Sequence, residues 1–192
     1  MEAFITHLDQ QIPLNESDRV LIHQHLRVEK FPKGSFLLRE GQISQSFFYN
    51  VEGFVRLFYN QDGNEKTAYF FPPGTFISAY ESFIYQKPAN LSLQTIEASR
   101  VIRISREAAQ ALLSHSPKFD QLARWAMENE LISYQKMVAN LLRWTPEQRY
   151  AQLLQKEPEL FARVPQQYIA SFIGVSPETL SRIKKRWHTK KT

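Results

Sequence analysis

The sequence predicts an α+β chain: an N-terminal jelly-roll β-barrel, a long helix, and a small helical C-terminal domain. Three observations predict it. Five of the six glycines fall before position 75, at 34, 41, 53, 63 and 74, spaced as turns between short strands. From Ser116-Pro117 onward the apolar period becomes helical. Near the end, residues 164–186 read as two short helices joined at a glycine. The expected segments are 1–116, 117–143 and 144–192.

Composition bounds what such a chain can do. With 192 residues and 43% hydrophobic content it can bury a real core in one large or two small domains. No apolar run reaches the ~18 residues that span a bilayer, and no basic segment followed by an apolar one opens the chain. A soluble, cytoplasmic protein with no membrane partner is therefore expected. The lack of cysteine excludes disulfides, thiolate nucleophiles and cysteine-ligated iron–sulfur clusters. The five histidines, at 7, 23, 25, 115 and 188, all lie outside the strand-rich segment, and on a helix His23 and His25 diverge. No metal or haem is expected, and a cupin-like enzyme, which needs histidines clustered on strands, is disfavoured.

Taken in order, Phe4 to Gln11 suits a short helix, and Asn15 can cap a second that carries Val20, Leu21 and Leu26. Strand alternation follows: Phe47, Tyr49 and Val51, then Val55, Leu57 and Tyr59, with Asp62-Gly63 as a hairpin turn. Leu91 with Leu93, and Ile102 with Ile104, extend the set to about eight strands ending near Ser105. Such regular turns suit a β-sandwich or jelly roll.

The long helix carries Met127, Leu131, Tyr134, Val138 and Leu141 at 4-3-4-3 spacing, the seam of a coiled coil. A second stripe, with Leu122, Ala126, Met137 and Leu142, suits packing on the barrel, and an ordinary buried helix also accounts for two stripes. Thr145-Pro146-Glu147-Gln148 supplies a capping box with a first-turn proline. A new helix starts there, so 143–145 is the expected hinge. Tyr150, Leu153 and Leu154 face its core, and Glu157-Pro158 closes it.

In the last segment Pro165 suits a first helical position, and Ile169, Phe172 and Ile173 recur on one face. Gly174 suits a left-handed helix end, Ser176 an N-cap and Pro177 a first turn. Leu180, Ile183 and Trp187 then leave Glu178, Ser181, Arg182 and Lys185 on a polar face. From residue 163 onward seven basic residues oppose Glu178 alone, a net of +6, while residues 1–162 carry −1. All the excess positive charge surrounds this second helix, the footprint of a phosphate-binding surface. A capped hairpin with a merely solvated basic face is the bland alternative.

With the glycine framework, Pro72-Pro73-Gly74 and the Ser176 to Arg182 segment together, nearly the whole chain resembles the Crp/Fnr family of bacterial transcription regulators. The resemblance implies a cyclic-nucleotide-binding-type sensor barrel, a helix pairing two copies across a dimer axis, and a helix-turn-helix reading DNA, here without a full β-hairpin wing. DNA, a second copy, RNA polymerase and a small effector are the implied partners. One stretch departs. The family's nucleotide binders follow the Pro-Gly turn with a Gly-Glu pair and, about ten residues on, an Arg-Ser or Arg-Thr; here Ser78-Ala79-Tyr80-Glu81 stands, with no arginine between Arg56 and Arg100. A buried phosphate needs such a partner, so an effector other than classically bound cyclic AMP is expected.

The candidate effector pocket comprises Phe71, Phe76, Ser78, Tyr80, Glu81, Ser92 and Gln94, apolar walls with a few polar groups; alternatively these aromatics simply fill the barrel. In the reading helix Glu178 can accept from a cytosine amine and Arg182 can fork onto guanine, with Ser181 and Lys185 as secondary contacts. Gln166, Gln167 and Thr179 suit phosphate contacts, and Ser176, Lys184 and Lys190 join the same surface. The expected function is a dimeric regulator on an inverted-repeat site; the alternative is an architectural DNA binder with a degenerate sensor.

Overall fold

The computed structural model of the protein describes residues 1–189. Its elements run α1 (Glu2–Asp9), α2 (Glu16–His25), β1 (Arg27–Phe31), β2 (Phe36–Leu38), β3 (Ser46–Glu52), β4 (Val55–Gln61), β5 (Asn64–Phe71), β6 (Phe76–Ile77), α3 (Tyr80–Tyr85), β7 (Ser92–Thr95) and β8 (Ser99–Ser105). Then follow α4 (Arg106–His115), α5 (Pro117–Arg143), α6 (Pro146–Lys156), α7 (Pro158–Arg163), α8 (Gln166–Ile173) and α9 (Pro177–Thr189). The class is α+β as the sequence predicts, and the eighth strand ends at Ser105. By contacts the chain divides into two compact units, residues 1–57 with 70–131, and residues 58–69 with 132–192.

The strands form two four-stranded sheets in the orders β1-β8-β3-β6 and β2-β7-β4-β5. Along β3, Phe47, Tyr49 and Val51 join a helical core containing Phe4, Ile5, Leu8 and Ile22, while Phe48 and Asn50 on the alternate positions are also buried. A strand covered on both faces loses its polar alternation. Asn50 ties the turns together: its side-chain Nδ2 donates to Gly53 O and Phe71 O, both at 2.9 Å, and its backbone carbonyl accepts from Gly74 N–H at 2.8 Å. Between β4 and β5 a two-residue loop has φ +52° at Asp62 and +85° at Gly63, the mirror-image turn that suits strand twist.

The helices of this unit form where capping chemistry places them. Asn15 and Asp18 exchange bonds in a capping box, at 2.8 and 2.9 Å, and start α2. Ile22 and Leu26 are buried, but Val20, counted in the helix's apolar set from sequence, is exposed. Ser105 ends β8 and caps α4 by accepting from Ala108 N–H. That helix precedes the point where helical periodicity resumes in the sequence, as does α3. Asp18 is buried, and accepts a hydrogen bond from Lys118 Nζ at 3.0 Å, with His115 at 3.7 Å.

In the C-terminal unit the Thr145 and Gln148 capping box forms and opens α6. Glu157-Pro158 closes α6 and the chain enters the short α7, which buries Leu160. Tyr150 is the centre of this core, edge-on to Phe161 at 5.3 Å and to Trp187 at 6.1 Å. Pro165 caps α8 from outside, at φ −54° and ψ 136°, and does not occupy its first turn as expected. Among the described residues no strand follows β8, and no helix is long and apolar enough to cross a membrane.

Candidate nucleic-acid interface and effector cavity

Helices α8 and α9 are joined by a turn whose polar groups are satisfied locally. Gly174 takes the left-handed conformation at φ +77°, and its N–H closes α8 on Ser171 O at 3.1 Å. Val175 N–H reaches Ala170 O at 2.9 Å, and Ser176 Oγ accepts from Thr179 N–H at 3.2 Å, capping α9. Ile169, Ala170, Ile173, Leu180 and Ile183 are all buried between the two helices and their neighbours. The frame that presents α9 is thus set by apolar spacing and caps.

On the other side of α9, Glu178, Ser181, Arg182 and Lys185 are exposed, as are Gln166 and Gln167 on α8 and Ser176 in the turn. Thr179 is half-buried, its hydroxyl 3.2 Å from Ser176 Oγ. The Ser176 hydroxyl and Glu178's own N–H hold the Glu178 carboxyl below its ordinary value against a small desolvation cost, with the Arg182 charge adding to the effect. Glu178 is therefore ionised at neutral pH and acts purely as an acceptor. Lys184 differs from the others: its ammonium lies over the Phe161 ring at 5.7 Å, on the flank turned toward α7. Arg186 pairs with Glu147 at 2.8 Å, and Lys190 lies outside the described residues.

Along α5, Met127, Leu131, Val138 and Leu141 are each about half exposed, a row of apolar side chains at coiled-coil spacing. Tyr134 is half-buried, its ring 6.0 Å from that of Tyr69. Of the second stripe, Leu122 buries and Ala126 and Met137 are half-buried, but Leu142 is 81% exposed. It falls in the last helical turn, beyond the packed part of the stripe.

Of the seven candidate effector residues, Phe76, Ser78 and Tyr80 share a cavity of about 230 Å³ in the N-terminal unit, with Phe4 of α1 and Met127 and Glu130 of α5. Phe71, Glu81, Ser92 and Gln94 do not line it. Phe71, Ser92 and Gln94 belong to the other sheet, and Glu81 is turned to solvent on α3. Ser92 Oγ accepts from Glu40 N–H at 3.0 Å. Gln94 Oε1 accepts from Arg56 Nε at 3.1 Å and Nη2 at 2.6 Å, and Arg56 is only 1% exposed. At the cavity, Ser78 Oγ donates to Glu130 Oε1 at 3.4 Å, and no lysine, arginine or histidine lines it to pair a cyclic phosphate. The residues present do not fit a cyclic nucleotide in this cavity.

Two residues with a structural hold on these sites carried no local signal. Glu130 follows Ala123 and Ala126 along the cavity wall, and only their i, i+3, i+7 spacing hinted at a shared face. Arg149 gathers three carbonyls: Nε donates to Ile173 O at 3.0 Å, and Nη1 to Leu141 O at 3.2 Å and Trp144 O at 3.0 Å. The end of α5 and the end of α8 are thereby joined within the unit of residues 58–69 and 132–192.

The cyclic nucleotide-binding domain family matches residues 28–116. No curated protein sequence matches the chain significantly. Among solved structures, the c-di-GMP-responsive global regulator CLP of Xanthomonas campestris is similar at 21% identity and a TM-score of 0.73, covering 92% of this chain and 93% of its own. FixK2 of Bradyrhizobium japonicum gives 19% identity, 86% of each chain and a TM-score of 0.72. The catabolite activator protein of Thermus thermophilus gives 20%, a TM-score of 0.57, and coverage of 96% of this chain and 88% of its own. Residues 28–116 thus form a domain of the cyclic nucleotide-binding type, within a chain that has the fold of the Crp/Fnr transcription regulators.

Proposed function

We propose that the protein is a homodimeric transcription regulator that reads an inverted-repeat DNA site through α9 and answers to a small effector in its N-terminal unit. The observation that carries this reading is the exposed face of Glu178, Ser181, Arg182 and Lys185 on a capped, fully packed helical frame. Arg182 forks onto guanine O6 and N7, Glu178 accepts from a cytosine amine, and the cations around them meet phosphates. Met127, Leu131, Val138 and Leu141 supply the pairing stripe, and two copies set the reading helices about 34 Å apart. RNA polymerase is the partner through which such a DNA-bound dimer acts on transcription.

Selection from random duplex pools followed by titration tests the reading. An inverted repeat should emerge, and Arg182→Ala should cost about 1–3 kcal/mol per half-site while relaxing one symmetric base position. Equal loss on specific and random duplex would instead leave an architectural DNA binder. For the pairing stripe, glutamate at both Leu131 and Val138 should convert the sedimenting species from dimer to monomer; an unchanged profile would move the interface off α5.

A further inference from the structure

The C-terminal unit holds a cavity of its own, of about 520 Å³, and its chemistry is cationic. Lys136 and Asn140 line it from one face of α5, and Arg149, Gln152 and Lys156 from one face of α6, while Lys66 reaches it from β5. Glu157 is the one carboxylate among the lining residues, against these four cations. The three lysines are exposed, and among the described residues none of their ammonium groups is ion-paired or hydrogen-bonded. Arg149 is held by the carbonyls of Leu141, Trp144 and Ile173, so its charge is met by dipoles and not by a carboxylate. Asn140 and Gln152 are half-buried, with side-chain amides that engage no other group among the described residues. Tyr59, Met137, Leu141 and Leu153 add apolar wall. Like charges gathered round one opening repel one another, and an anion between them removes that cost.

We propose that this cavity binds a phosphate monoester on a planar or apolar body, its phosphate among Lys66, Lys136 and Lys156 and its body against Met137, Leu141 and Leu153. A monoester carries about −1.5 to −2 charges at neutral pH, which suits several ammonium groups approaching from separate elements. A cyclic phosphate diester carries a single charge and uses fewer of them. At the packing density of protein interiors, the volume admits roughly twenty non-hydrogen atoms, room for a head and a ring system. The Asn140 and Gln152 amides offer donors and acceptors to the polar edge of such a body. Because Arg149 both lines the cavity and ties the ends of α5 and α8, the occupant touches the mounting of α9. This site is separate from the effector site of the proposed function, and its binding stands whether or not the chain reads DNA.

Calorimetric titration of the full chain at neutral pH with naphthyl phosphate, naphthoate and inorganic phosphate tests it. Naphthoate keeps the ring with less charge, and inorganic phosphate keeps the charge without the ring. Naphthyl phosphate should bind saturably, and each of the others at least about tenfold more weakly. Lys136→Gln combined with Lys156→Gln should weaken naphthyl phosphate by about tenfold, with the thermal melt retained because both side chains are exposed. Lys66→Gln, on the hairpin, should weaken it about threefold and decides the matter if the double variant fails to fold. Lys33→Gln combined with Lys87→Gln removes the same charge from exposed positions of the other unit and should leave the affinity unchanged. No saturable binding, equal binding of naphthoate or inorganic phosphate, or the same loss in both double variants would each overturn the proposal. So would a Lys136 and Lys156 double variant that loses affinity for random duplex alone, which would give those cations to DNA. Failure to select an inverted repeat would overturn only the function proposed above.

Discussion

Gly53 and Gly174 share a left-handed backbone, φ +91° and +77°, yet they do different work in the two units. A Cβ on Gly53 would lie 2.8 Å from Ala98 O and 2.9 Å from Ser99 Cα, backbone atoms of a segment 45 residues away that cannot step aside. A Cβ on Gly174 would meet only the Arg149 guanidinium, at 3.4 Å. The first glycine is required by what another part of the chain does. The second is required by the turn in which it sits. Gly53 answers a distant demand and Gly174 a nearby one.

Three substitutions break or sharpen that contrast. Gly53→Ala should be the most damaging, with about 1–2 kcal/mol for the left-handed residue and a further ~1–3 for displaced backbone, read as a fall in the denaturant midpoint. An effect no larger than that of Gly174→Ala would erase the distinction between the regions. Next, Asp18→Asn should cost about 1.5–3 kcal/mol near neutral pH by weakening the bond from Lys118, 100 residues away.

Its pH dependence has a definite sign. Burial pushes the Asp18 carboxyl up, but hydrogen bonds from Asn15 N–H and Lys118, with the Lys118 and His115 charges, outweigh it and hold the group below 3.8. A depressed carboxylate stabilises the fold above its unfolded value and ceases to as pH falls through its folded one. The melting difference between wild type and Asp18→Asn should therefore hold from neutral down to about pH 4 and close below it. A gap that widens below about pH 4, where the carboxylate takes its proton, would mean that the carboxylate opposes folding. Gly174→Ala, the mildest, should lower stability by about 1–2 kcal/mol with DNA preference retained, because only the turn is strained.

The same contrast explains what could be read from residues alone. Gly174, Ser176, the Asn15 and Thr145 caps and the Asp62-Gly63 turn are each determined within a few residues, and each takes the conformation its chemistry favours. Pro165 fell outside α8 by one position, the scale on which helix ends fray. Ser92 and Gln94 looked like neighbours of Ser78 in sequence, but β7 belongs to the other sheet, and Gln94 is held by a buried arginine. Glu130 stands 52 residues from Ser78, and nothing local to either announces their meeting. Val20 and Leu142 are apolar in pattern and exposed in fact, since periodicity gives a face but not what covers it.

Arg149 bears on anyone who would transplant the reading head onto another sensor. The natural place to cut, by loop and capping box, is between Arg143 and Thr145. A chimaera joined there would inherit the guanidinium but could lose the Leu141 carbonyl it grips, along with the hairpin backbone at Thr67 whose N–H bonds to Ser171 Oγ at 2.9 Å. The transferable module therefore includes the final turns of the long helix and the end of the β4–β5 hairpin, residues 58–69. A graft respecting only the linear boundary would deliver a helix-turn-helix stripped of part of its mounting.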